Sequence, residues 1–109
     1  MQPRSYSDIT PEMIQDWKLK YGELQQIDVE LEEGKTASFI ARRPNRSVMD
    51  AIGEYGVKKQ VAEANKVLIA NCVLGGDMDL MENDGSVYTA LLEQLERLVT
   101  RKRASVKKL

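Results

Sequence analysis

The sequence predicts an α+β domain: an N-terminal helix, one antiparallel β-hairpin, then a short helix and two longer helices packed on it. Three observations carry that prediction. Apolar residues fall at helical spacing between Thr10 and Gly22. They alternate with period two on both sides of Glu32-Glu33-Gly34. After Pro44 they return to helical spacing in three stretches punctuated by glycine. At 109 residues the chain fits one domain, 1–109, with 1–9 and about 101–109 expected to fray.

The first helix has a well-marked start. Thr10 can cap, Pro11 suits the first helical position, and Glu12 favours the positive helix end. Ile9 and Ile14 occupy the positions of a hydrophobic staple. Ile14, Trp17 and Tyr21 are expected to form one buried stripe, and Gly22 stands where a helix commonly ends.

In the hairpin, Ile27, Val29 and Leu31 alternate, as do Ala37, Phe39 and Ala41. A two-residue loop at Glu33-Gly34 would throw Phe39 to the wrong face. A three-residue loop, Glu32-Glu33-Gly34, pairs Leu31 with Lys35, Val29 with Ala37 and Ile27 with Phe39. All the alternating apolar residues then share one face. Glycine would take the left-handed position of a type I turn with a G1 bulge. Arg43-Pro44 ends the second strand.

Ser47 and Asp50 suggest the start of a short helix with Val48, Met49, Ile52 and Tyr55 inward, limited by Gly53 and Gly56. The central stretch, Val57 to Asp77, holds the most apolar run and the single cysteine. Val61, Ala64, Leu68 and Cys72 follow helical spacing, and Val67, Ile69, Ala70, Val73 and Leu74 widen the apolar arc. This predicts a helix from about Val57 to Leu74 that stops at Gly75. An acidic loop from Gly76 to Gly85 follows. Ser86 then caps a last helix with Val87, Leu91, Leu95 and Leu98 inward and Tyr88, Leu92 and Val99 beside them.

Composition excludes several chemistries. There is no histidine, which removes the usual general base and the commonest metal ligand. One cysteine rules out an internal disulfide framework and fits a reducing compartment. Cys72, set among Leu68, Ile69 and Val73, reads as a small core hydrophobe. An EF-hand loop begun at Asp77 fails, because its fifth, sixth and twelfth positions fall on Met81, Glu82 and Tyr88. Gly75-Gly76-Asp77 is no phosphate cradle, since neither G-x-G-x-x-G nor a P-loop lysine is present. No catalytic, cofactor or metal residues are therefore assigned.

Two surfaces remain. The apolar arc and the methionine-bearing loop supply candidate partner-binding residues: Val67, Ala70, Leu74, Met78, Leu80 and Met81. Net charge is −1, but residues 97–109 carry only cations. The basic tail Arg101, Lys102, Arg103, Lys107 and Lys108 is the sole feature that suits phosphates, and no aromatic residues interleave with it. No signal-peptide h-region or membrane span is visible, so a cytoplasmic, soluble protein is expected.

The order of signals resembles a known family. T-P-E-x-x-x-x-W-K-x-K-Y-G (Thr10 to Gly22), R-R-P-N-R (Arg42 to Arg46), L-I-A-N-C-V-L-G-G-D (Leu68 to Asp77) and a closing K-K-L are similar to those of small phage and prophage proteins described as tail-assembly-chaperone-like. The resemblance implies a non-enzymatic protein of the bacterial host cytoplasm. It would bind and shield a helical partner, the tape measure protein, or the tail tube protein, during tail assembly. It would carry no cofactor, and in many such proteins a longer product arises by frameshifting. Apart from the resemblance, the apolar arc at Val67 to Leu74 with the Met78 to Met81 loop suits either a client groove or a self-association face of a homo-oligomer. The alternative expectation is a small nucleic-acid-associated regulator using the basic tail.

Overall fold

The computed structural model describes residues 2–99 and 104–109. Helix α1 (Pro11–Tyr21) is followed by strand β1 (Leu24–Glu30), strand β2 (Thr36–Arg42), α2 (Arg46–Val57), α3 (Val61–Cys72), β3 (Val73–Gly76), α4 (Met78–Asn83) and α5 (Gly85–Leu98). The α+β class holds, with a three-stranded antiparallel sheet in place of a lone hairpin.

Helix α1 begins and ends where its sequence indicates. Thr10 Oγ1 accepts from the Met13 amide at 3.2 Å, and Gly22 takes a positive φ of 81° while donating to the Lys18 carbonyl. The stripe of Ile14, Trp17 and Tyr21, expected to be buried, is half-buried at all three residues. The hairpin register is also as expected: Ile27 faces Phe39, Val29 faces Ala37, and the Leu31 amide donates to the Lys35 carbonyl at 2.8 Å. The turn itself differs from a type I turn with a single left-handed glycine. Both Glu33 (φ 59°) and Gly34 (φ 74°) are left-handed. Two consecutive positive φ values give the primed kind of turn, whose twist matches that of the strands.

Helix α2 starts earlier than Ser47 implies. Asn45 is the cap, accepting from the Val48 amide at 3.0 Å. The inner face is the expected one, with Val48 buried and Met49, Ile52 and Tyr55 half-buried.

The expected helix from Val57 to Leu74 is corrected at both ends. Lys59 turns left-handed (φ 57°), its amide donating to the Gly56 carbonyl and that of Gln60 to the Tyr55 carbonyl. This is a Schellman closure of α2 with lysine where glycine is usual. Val57 and Val61 consequently flank an exposed turn, at 85% and 66% exposure. At the far end Val73–Gly76 leaves the helix and pairs with β2, Phe39 opposite Gly76 and Ile40 opposite Gly75. The register shifts before Ala41 meets Val73, leaving Leu74 as the extra residue of a bulge. The double glycine is therefore strand, not a helix stop.

Gly76 explains this choice physically. Its φ is +150°, and a Cβ there would lie 2.5 Å from the Ser38 carbonyl oxygen and 2.7 Å from Phe39 Cα. Only a residue without a side chain lets β3 sit so close on β2.

Central strand β2 is covered on both faces. Ala37, Phe39 and Ala41 point into the main core with Ile27, Val29, Leu68, Cys72, Val87, Leu91 and Leu95. Ser38 and Ile40, on the other face, are buried as well. The N-terminal residues are part of that cover, against the expectation that they fray. Pro3 is buried, a 3₁₀ turn spans Tyr6–Asp8, and the Gly76 and Met78 amides donate to the Pro3 and Arg4 carbonyls at 3.3 and 3.1 Å. This segment occupies backbone groups along β3 that would otherwise lack partners.

The segment after Asp77, expected as a loop, forms the short helix α4. Its methionines Met78 and Met81 are core residues at 4% and 8% exposure. Their i, i+3 spacing places both on one helix face over the sheet. Asp84, not Ser86, caps α5: its Oδ1 accepts from the Ser86 and Val87 amides and from the Ser86 hydroxyl. The buried stripe Val87, Leu91, Leu95 is as expected.

Candidate functional site

Helix α3 carries more apolar surface than one neighbour can cover. Leu68 and Cys72 face the sheet, while Ile69 and Ala70 lie roughly 100° and 200° further around the helix. Helix α4, which follows β3 after a single residue, packs on α5 and contributes Met81; α5, which also packs on α3, contributes Tyr88. Between them is a groove of about 340 Å³ lined by Lys66, Ile69, Ala70, Met81 and Tyr88. Its lining is aliphatic, thioether and aromatic, with Lys66 as its charged residue. Such a surface suits an apolar side chain or helix face of a partner, and the ammonium suits an acid at the partner's edge.

The candidate binding residues do not form one surface. Ala70 and Met81 line the groove. Val67 is half-buried against the core, Leu74 is the half-buried bulge residue, and Met78 lies inside. Leu80, 38% exposed, borders a different concavity of about 580 Å³ with Val29, Leu31, Val87, Ala90 and the acids Glu30, Glu32, Glu33 and Asp84. Ile69, Tyr88 and Lys66 were not assigned from sequence. Tyr88 was legible only as a flank of the α5 stripe, and its meeting with α3 depends on the strand that separates α3 from α4.

A second cluster lies on the opposite sheet face. The Tyr6 hydroxyl donates to Gln26 Oε1 at 2.9 Å, and the Gln26 amide donates to Asp28 Oδ1 at 2.9 Å. The Ser38 hydroxyl donates to the same Asp28 oxygen at 2.7 Å. The Asp77 carboxylate closes the ring, accepting from the Tyr6 amide through Oδ1 and the Ser38 amide through Oδ2, both at 2.9 Å. Donors from Gln26 and Ser38 hold Asp28 below the usual carboxylate range. These hydrogen bonds brace the N-terminal segment to β1, β2 and β3.

The acids from 77 to 84 are likewise committed. Asp79 and Glu82 share Arg4, at 2.7 and 2.6 Å, and Asp84 caps α5, its pKa lowered first by the Ser86 hydroxyl. No group of three or more potential metal ligands lies together among the described residues. Cys72 is fully buried, and burial pushes its thiol pKa up, with the Arg42 charge opposing. A thiol so held stays protonated at neutral pH and lacks access to substrate.

In the basic tail, Arg101, Lys102 and Arg103 lie outside the described residues, and Lys107 and Lys108 are exposed. No helix among the described residues is long and apolar enough to cross a membrane. Comparison of the chain with protein-family models, curated proteins and solved structures gave no match.

Proposed function

We propose that this chain is a non-enzymatic binding protein that takes an apolar, helical segment of a partner into the groove between α3, α4 and α5. The groove lined by Ile69, Ala70, Met81 and Tyr88 is the observation that carries this reading. Its dimensions accommodate a few aliphatic side chains, as one face of an amphipathic helix presents them at i, i+3 and i+4. In the setting that the sequence resemblance implies, the partner is the long helical tape measure protein, shielded by this chain in the bacterial cytoplasm during tail assembly. Burial of Cys72 and the bracing role of the Tyr6–Gln26–Asp28–Ser38–Asp77 ring support a binding role over a catalytic one.

Co-expression with a tape measure protein, the partner that the resemblance implies, tests the reading. The two should co-purify, and Ala70→Glu should weaken the complex at least about tenfold, roughly 1.4 kcal/mol, without loss of fold. Failure of the pair to co-purify, together with no gain in the partner's solubility, refutes it.

A further inference from the structure

The two edges of the sheet are not alike. On β3 the N-terminal segment supplies partners: the Gln2 side chain donates to the Val73 carbonyl at 2.6 Å, and the Gly76 amide to that of Pro3. The edge at β1 has a different character. The Leu31-to-Lys35 bond sets the phase of the ladder, so the backbone groups of Gln25, Ile27 and Val29 face β2. Those of Leu24, Gln26, Asp28 and Glu30 therefore point outward, and the side chains of Gln26, Asp28 and Glu30 are exposed.

We propose that this edge is a self-association surface, on which β1 pairs antiparallel with β1 of a second copy about a two-fold axis through Ile27. This goes beyond the groove reading and does not depend on it. The sequence of the strand selects the register. Centred on Ile27, Gln26 meets Asp28 of the other copy and Leu24 meets Glu30, so no acid faces an acid and all the outward backbone groups are paired. Sliding the strands by one pair in one direction sets Asp28 against Asp28, which like-charge repulsion disfavours. Sliding them the other way leaves Glu30 without a partner.

The ends of the strand are complementary too. At the turn end lie Glu30, Glu32 and Glu33, tempered by Lys35. At the other end Lys20 and Arg42 stand over the Tyr21 ring, 5.3 and 4.5 Å from its centre, with Arg42 opposite Leu24 in the ladder, and Glu23 offsets one of these two cations. Antiparallel pairing brings the acidic end of each copy to the basic end of the other. An isologous interface uses each such contact twice.

Light scattering on the full chain over a concentration series reads the outcome. The proposal expects a mass of twice 12.3 kDa that falls to 12.3 kDa on dilution. Glu30→Pro removes an outward amide while sparing both the intrachain ladder and the polar ring, and should leave only the single-chain mass with an unchanged circular dichroism spectrum. Because proline can disturb folding, charge reversal provides the second arm. Lys20→Glu should raise the dimer dissociation constant about tenfold, and Glu32→Lys in the same chain should restore it. Ala70→Glu should leave the dimer intact, which separates this surface from the groove. A parent chain of single-chain mass throughout the series overturns the proposal. So does a dimer that Ala70→Glu dissociates while the β1 variants do not.

Discussion

Replacing Gly76 by alanine is the severest small change this fold can receive. The added methyl group would sit 2.5 Å from the Ser38 carbonyl oxygen and 2.7 Å from both Cα and Cδ1 of Phe39, a fully buried residue. None of these atoms is the free end of a flexible side chain. The backbone at φ +150° is also one that L-residues avoid, a cost of about 1–3 kcal/mol. Overpacking adds roughly another 1–3 kcal/mol, so the total is about 2–6 kcal/mol. For a domain of this size that lowers Tm by on the order of 20 °C. Gly53→Ala is the matched control. It lies within α2 with no atom within 4 Å of the new methyl group, and should stabilise by about 0.5–1 kcal/mol. Urea and thermal unfolding followed by circular dichroism measure both. If Gly76→Ala unfolds within about 1 kcal/mol of the parent, β3 does not rest on β2 as described.

The remaining predictions concern turns, the polar ring and pH. Glu33→Asn and Lys59→Gly each place a residue suited to left-handed backbone where a side chain now strains it, and each should raise stability by about 0.5–1 kcal/mol; loss in either would mean the turn is misassigned. Asp77→Ala leaves the Tyr6 and Ser38 amides without their acceptor and should cost about 2 kcal/mol, with faster hydrogen exchange at those two amides. Unchanged exchange there would contradict the brace. Asp28 and Asp84 titrate below the ordinary carboxylate when folded, so each adds stability that is complete above the unfolded value of about 3.9 and is lost as pH falls through the folded value. Urea midpoints should fall as pH drops below about 4, and Asp28→Asn should flatten that fall; a fall of unchanged steepness in Asp28→Asn would contradict the Asp28 assignment.

The hairpin was legible because two local signals agree. Alternation marks the inward face, and Gly34 can occupy only one place in a loop that keeps Phe39 inside. The caps at Thr10 and Gly22 were legible for the same reason, each acting within one helical turn. Strand β3 was not. Val73 and Leu74 continue the apolar run of α3, so periodicity cannot mark the change, and Gly75-Gly76 has the chemistry of a helix stop. What decides between the two is the closeness of β2, a contact more than 30 residues away in sequence. Once β3 forms, α4 packs on α5, and Met78 and Met81 belong to the core rather than to a loop.

The polar residues were harder still. Asp77 reads as one acid among several, and its role depends on the Tyr6 and Ser38 amides arriving together from distant segments. The groove shares this origin. Ile69, Ala70 and Met81 were visible as apolar residues near a helix end, but Tyr88 joins them only because β3 turns the chain. Asn45, one residue past Pro44, was available as a cap, yet Ser47 offered a similar signal and local sequence alone does not rank them.

The most direct test of the central claim is the affinity of the groove for an apolar helix. The full chain and its Ala70→Glu variant should be titrated with a purified tape measure protein, with methyl resonances of Ile69 and Met81 in both chains, and of Ala70 in the parent, as the readout. Shifts should be confined to the groove, and the affinity should be at least about tenfold weaker in the variant. Equal affinity in the two chains, or shifts that leave these methyls unmoved, would contradict it.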